Sequence, residues 1–194
     1  MKALAEMGVD YAGLIFYPRS ARYAGEKLAG AQREIKDFSI KKVGVFVNEE
    51  AEEIKRKIKH FGLAAVQLHG DESAEFCKDL MLHAAVIKVF RMGDQTDIET
   101  MLAPFRDACD YYLFDTDTNS YGGSGKQFNW AVLESVVIDK PFFLSGGIGP
   151  GDVEKIKRFQ NPFMYAVDVN SRFETAPGVK DLGSVQAFIN NLKA

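Results

Sequence analysis

Cysteine is scarce in this chain: 194 residues carry two, Cys77 and Cys109. Their separation matches no metal-ligand spacing, and one pair in so long a chain does not make a disulfide scaffold, so both read as small buried hydrophobes. Long apolar runs are missing too. No stretch approaches the roughly 20 apolar residues needed to span a bilayer, and the opening M-K-A-L-A-E-M-G has no signal-peptide core. The expectation is a soluble, cytoplasmic protein with no membrane partner. Nor is there an excess of basic charge. A formal net charge of −3, with Lys and Glu evenly scattered, leaves no stripe to neutralise the phosphates of nucleic acid, which excludes that partner class. No linker, low-complexity tract or charge block divides the chain, so residues 1–194 read as one domain.

What is present is alternation. Short runs rich in Val, Ile, Phe and Tyr at 11–16, 42–47, 65–69, 86–90, 111–115, 141–145 and 164–169 are separated by stretches with apolar residues three and four apart. This predicts parallel strands joined by helices. The stretch from Asn48 to Phe61 has acids early and bases late, in accord with the helix dipole, and Gly62 as its stop; a last helix is expected over about 181–193. Seven strands fit either a doubly wound sheet or a (β/α)₈ barrel one strand short. The first ten residues read as the last two turns of a helix ending at Gly8, and a strand feeding that helix would make eight. The expected fold is therefore a (β/α)₈ TIM barrel lacking its first strand and the start of its first helix.

Such a barrel places chemistry at the C-terminal ends of its strands and often holds phosphate in the loops after the last two. Here those strands end in S-G-G-I-G-P-G-D and D-V-N-S-R-F-E. Gly146 and Gly147 would let backbone amides approach phosphate oxygens, and Pro150 suits a first helical position beside an anion. A second glycine cluster, Gly122, Gly123, Ser124 and Gly125, follows the strand ending in Asp115 and reads as a loop contacting a ligand. Asp115 and Asp168 both stand at strand ends. A carboxyl group partly withdrawn from water there has its pKa raised toward general-acid duty. In F-Y-P-R-S-A-R-Y (16–23) Arg22 offers a planar fork for a substrate carboxylate beside aromatic faces. His69 reads as a hydrogen-bonded structural residue, and His60 and His83 lie in helical segments.

In order, F-Y-P-R-S-A-R-Y, V-Q-L-H-G-D-E, L-F-D-T, Y-G-G-S-G-K-Q-F-N-W, L-S-G-G-I and V-D-V-N-S-R-F-E resemble the phosphoribosylanthranilate isomerases of tryptophan biosynthesis over essentially the whole chain. The resemblance implies a (β/α)₈ fold, no cofactor and no metal, and a small phosphoribosyl substrate. The reaction it implies is an Amadori rearrangement of N-(5-phosphoribosyl)anthranilate to 1-(2-carboxyphenylamino)-1-deoxyribulose 5-phosphate. It also implies Asp115 as the acid and Arg22 at the anthranilate carboxylate. Asp168 falls near the sugar or the catalytic groups, while Gly146, Gly147, Asn170 and Ser171 fall on phosphate. The oligomeric state is expected to be a monomer or homodimer.

Two departures accompany the resemblance. The family's general base is a cysteine in a K-I-C-G stretch on the first strand, and these 194 residues contain no such stretch. Impaired carbon deprotonation is expected for this chain. Arg172 also stands where glycine is usual after the last strand. Two rival readings keep the phosphate site: another phosphosugar barrel enzyme such as an indole-glycerol-phosphate synthase, or a non-catalytic phosphate-ligand binder.

Overall fold

Residues 1–25, 28, 30–93, 97–116 and 127–194 are described by a computed structural model. They form two compact units, Met1–Val89 with Asp107–Tyr111, and Phe90–Arg106 with Tyr112–Ala194.

The first unit opens with a short helix, α1 (Lys2–Glu6), which ends where Gly8 turns to φ 76°. Strand β1 (Tyr11–Ile15), helix α2 (Gln32–Asp37), strand β2 (Lys41–Phe46), helix α3 (Ala51–Phe61), strand β3 (Ala65–Leu68), helix α4 (Ala74–Leu80) and the start of strand β4 (Ala85–Met92) follow. β1 to β4 are parallel neighbours in chain order, with Leu14 opposite Gly44, Gly44 opposite Val66 and Val66 opposite Val86. Helix α3 shows how sequence sets the packing. Its buried residues Ile54, Ile58 and Phe61 recur at helical spacing. Glu52 and Glu53 lie in its first turn, and Lys59 and His60 in its last. Gly62 closes it at φ 60°, a conformation that costs glycine nothing. The helix begins at Ala51 rather than near Asn48, because Asn48 takes φ 49° and cannot continue a right-handed turn. Phe61 meets Phe16 at 5.1 Å, and Phe16 stacks on Phe46 at 5.4 Å. Each such buried ring contributes roughly 1.5–3 kcal/mol.

The second unit holds the end of β4, helix α5 (Ile98–Leu102), strand β5 (Tyr111–Thr116) from Tyr112 onward, strand β6 (Phe142–Leu144), helix α6 (Val153–Arg158), strand β7 (Met164–Val167), an antiparallel hairpin of β8 (Glu174–Ala176) and β9 (Val179–Lys180), and helix α7 (Leu182–Lys193). β5, β6 and β7 are parallel and adjacent in chain order, with a register shift between Phe142 and Phe143. Phe90, Tyr112, Phe114 and Phe142 form an aromatic core of edge-on and tilted contacts at 5.2–6.2 Å. Between β5 and β6 the described residues supply only a 3₁₀ turn, Trp130–Leu133, where alternation led one to expect a longer helix. Asn129 caps that turn through Oδ1 to the Ala131 amide (3.2 Å), and the β-branched run that follows, closed by Pro141, disfavours further turns.

Seven parallel strands are thus found among the described residues, each where an apolar run was read, in an α/β chain. No described helix is long and apolar enough to cross a membrane.

Candidate active site

The carboxylate at the end of β5 organises the second unit's loop end. Asp115 is the penultimate residue of that strand, and its Oδ1 accepts the Thr116 amide at 2.8 Å. Directly beside it, Gly146 takes φ 88°. A Cβ there would lie 2.4 Å from Thr116 Oγ1, 2.6 Å from its backbone nitrogen and 3.0 Å from Asp115 Oδ1. The first glycine of the pair is therefore required by both its dihedral and its neighbour. Gly147 follows at φ 66°.

Asp168 leaves β7, its amide held by the Leu144 carbonyl at 2.8 Å. Ser145 Oγ donates to Asp168 Oδ2 at 3.1 Å. Asp115 has its carboxyl pushed up to about 6, chiefly by burial and next by the charge of Asp168; the Thr116 amide and the Arg91 guanidinium oppose this. Burial likewise raises Asp168, against the Ser145 hydroxyl and the Lys180 ammonium. Two carboxyls in one partly dry site thus discourage joint ionisation, the arrangement that keeps an acid protonated near neutrality.

Beyond β7, Asn170 presents both its carbonyl and its Oδ1 to Lys180 Nζ, at 3.2 and 2.6 Å, and Lys180 also meets Glu174 Oε1 at 3.1 Å. Ser171 begins a 3₁₀ turn whose Phe173 packs against Phe188 at 5.0 Å. The side chain of Arg172 lies across Gly149: a Cβ on that glycine would be 2.9 Å from Arg172 Cδ. Pro150 opens a 3₁₀ turn, Pro150–Asp152, that runs into α6, and Asp152 Oδ2 takes the Gly149 amide at 2.7 Å. The amide just before that proline is thereby used within the protein.

Of the residues singled out from sequence, Asp115, Asp168, Gly146 and Gly147 share the loop end of one unit, with Asn170 and Ser171 on the segment after β7. Gly122, Gly123, Ser124 and Gly125 lie outside the described residues. Arg22 belongs to the first unit, on the turn after β1, where its amide bonds Ser20 Oγ at 3.1 Å. His69 Nδ1 lies 3.3 Å from Gln67 Nε2. Both cysteines are buried, as read, and burial pushes the Cys77 thiol up to about 11. Sequence reasoning passed over Ser145, although it lies inside the quoted glycine motif. It also passed over Gln127, which lies inside the second quoted glycine motif, and over Arg91 and Lys180, which are single polar residues with no periodicity to mark them.

Parallel strand-helix units with carboxylates and a glycine turn at the strand C-termini are the arrangement of the (β/α)-barrel class of enzymes. The comparisons narrow it. The sequence matches the N-(5'-phosphoribosyl)anthranilate (PRA) isomerase family over residues 1–191, and the chain belongs to that family. The N-(5'-phosphoribosyl)anthranilate isomerase of Phocaeicola vulgatus is 41% identical over 194 residues, which are 100% of this chain and 92% of that one. The crystal structure of phosphoribosyl anthranilate isomerase from Thermotoga maritima superposes with a TM-score of 0.84 at 39% identity, covering 99% of this chain and 92% of that one. A phosphoribosyl anthranilate isomerase in complex with reduced 1-(o-carboxyphenylamino)-1-deoxyribulose 5-phosphate follows at TM-score 0.82 and 35% identity, covering 99% of this chain and 91% of that one. The fold is accordingly the TIM barrel of these enzymes, with seven strands among the described residues, and the chain is an isomerase of tryptophan biosynthesis.

Proposed function

We propose that this chain rearranges N-(5-phosphoribosyl)anthranilate with Asp115 as general acid. The protonated Asp115 carboxyl gives its proton to the furanose ring oxygen. The C1–O bond breaks toward that oxygen, and the anthranilate nitrogen lone pair closes a Schiff base. Loss of the C2 proton to a base gives an enolamine, which tautomerises to the 1-amino-1-deoxyribulose 5-phosphate product. The observation that carries this reading is the Asp115 carboxyl itself, raised to about 6 beside Asp168 and the Gly146 turn. A general acid is most effective when its pKa lies near working pH.

Asp168 is assigned to the sugar, Arg22 to the anthranilate carboxylate, and Gly146, Gly147, Asn170 and Ser171 to the phosphate. Residues 1–194 are read as one barrel domain of a cytoplasmic enzyme, monomeric or homodimeric, that uses no cofactor. Within these 194 residues neither cysteine can serve as the base at C2: Cys77 lies on α4 with a raised pKa, and Cys109 is buried just before β5. Turnover by the chain as it stands is expected to be slowed. The test is consumption of N-(5-phosphoribosyl)anthranilate by the purified chain and by Asp115→Asn. Turnover carried by the wild type and unchanged in the variant would remove Asp115 from the mechanism.

A further inference from the structure

The glycine turn is steered by a side chain outside it. Gln127 Nε2 donates to the Gly147 carbonyl at 3.1 Å and to Asp152 Oδ2 at 2.7 Å, while Gln127 Oε1 accepts from Lys155 Nζ at 3.0 Å. Because Lys155 can only donate and the Asp152 carboxylate only accepts, the carboxamide has one sensible orientation. Asp152 Oδ2 also accepts the Gly149 amide at 2.7 Å, so Gln127, Gly147, Gly149 and Asp152 close a ring of hydrogen bonds around Ile148.

The consequence lies in the peptide between Gly147 and Ile148. Gly147 has no Cβ and sits at φ 66°, so rotation of the peptide that follows meets little steric resistance. A trans peptide is planar, with its carbonyl oxygen and amide hydrogen on opposite sides. Fixing the Gly147 carbonyl toward Gln127 therefore aims the Ile148 amide away from Gln127. Gly147 is one of the residues assigned above to the phosphate, and an amide can serve an anion only if it faces it.

We propose that Gln127 is a positioning residue that holds the Gly147–Ile148 peptide in the orientation in which the turn accepts the substrate's phosphate. It touches no reacting atom. The inference rests on the phosphate reading above and adds to it a residue that determines how well the turn is preformed. Lys155, set 3.6 Å over the ring of Trp130, anchors the other end of the carboxamide.

The experiment compares two probes by calorimetry: reduced 1-(o-carboxyphenylamino)-1-deoxyribulose 5-phosphate and the same molecule without its phosphate. The wild type is expected to bind the phosphorylated probe more tightly. Gln127→Met keeps the volume and removes every hydrogen bond. It is expected to weaken the phosphorylated probe about tenfold, the worth of one or two hydrogen bonds, and to leave the other probe unchanged. Gln127→Glu cannot donate and sets a second carboxylate against Asp152, so a larger selective loss is expected. Lys155→Met, which frees Oε1 and lifts the ammonium from Trp130 but leaves both Nε2 bonds in place, provides a milder case should the Gln127 variants not fold; a selective loss of about threefold is expected. Equal weakening of both probes, or none, overturns the positioning role. Should the wild type fail to distinguish the two probes, the phosphate reading itself falls, and that outcome is told apart by the wild type alone.

Discussion

Gly146 and Thr116 are so closely apposed that a single methyl group on the glycine would lie 2.4 Å from the threonine Oγ1 and 2.6 Å from its backbone nitrogen. Two obstacles coincide there, because Gly146 also takes φ 88°. Gly146→Ala is expected to lower stability by about 2 kcal/mol or more and to displace the Thr116 amide from Asp115. Thermal melting together with binding of the reduced product analogue checks this. A variant that melts with the wild type would show that the two loops have room to part.

Asp115→Asn removes the proton that the proposed mechanism delivers to the ring oxygen. Loss of general-acid help is worth on the order of 10² to 10⁴ in rate. The analogue of the reduced product should still bind, since its sugar is already open. A variant with normal turnover, or one that loses analogue binding as steeply as turnover, contradicts the assignment.

The raised pKa of Asp115 also has a sign in stability. An unfolded aspartate titrates near 3.9, whereas the folded group does so at about 6. Between these values the folded state binds more protons, so stability falls as pH rises from about 4 through 6 and stays lower above. In the proposed mechanism the acid form is the one that works, so activity limited by this step is expected to fall as pH rises through about 6. Asp115→Asn should flatten the stability change across that window. Denaturant melts at successive pH values measure it.

Asp168 raises Asp115 by its charge, so Asp168→Asn should move the Asp115 titration to lower pH, and the alkaline limb of activity with it. Carbon-13 titration of the aspartate carboxyls reads the shift directly. A limb that stays in place would mean that burial alone sets the acid.

In the first unit Lys88 and Glu72 form a buried pair at 2.7 Å. Lys88 also donates to the Gly70 carbonyl at 2.8 Å, and Glu72 Oε1 accepts the amides of Asn48 and Gly70. Lys88→Met strands the carboxylate and should cost about 3–5 kcal/mol. Adding Glu72→Gln, which keeps an acceptor for both amides, should restore part of it. Additive losses in the double variant would deny that the two charges depend on each other.

The strands were legible because parallel strands are buried on both faces and therefore appear as unbroken apolar runs, as in Val43–Phe46 and Tyr112–Phe114. The placement of Asp115 and the glycine pair at one loop end was legible for a related reason: each closes an apolar run that reads as a strand. The network around them was not. Ser145, Lys180 and Gln127 owe their importance to partners 23, 10 and 20 residues away in sequence, and no local pattern records such a meeting. The one-turn link at Trp130–Leu133 escaped for another reason, since a run of Val and Ile reads as apolar without saying how tightly it can coil.

Trp130 is the chain's single tryptophan, and the ammonium of Lys155 rests on its face, one side chain away from the Gly147 carbonyl. Intrinsic emission from this one indole is therefore a label already built in at the corner where the Gln127 bonds meet. Withdrawal of Lys155 changes the electric field across the ring, so the colour of the emitted light reports the state of the turn without any dye.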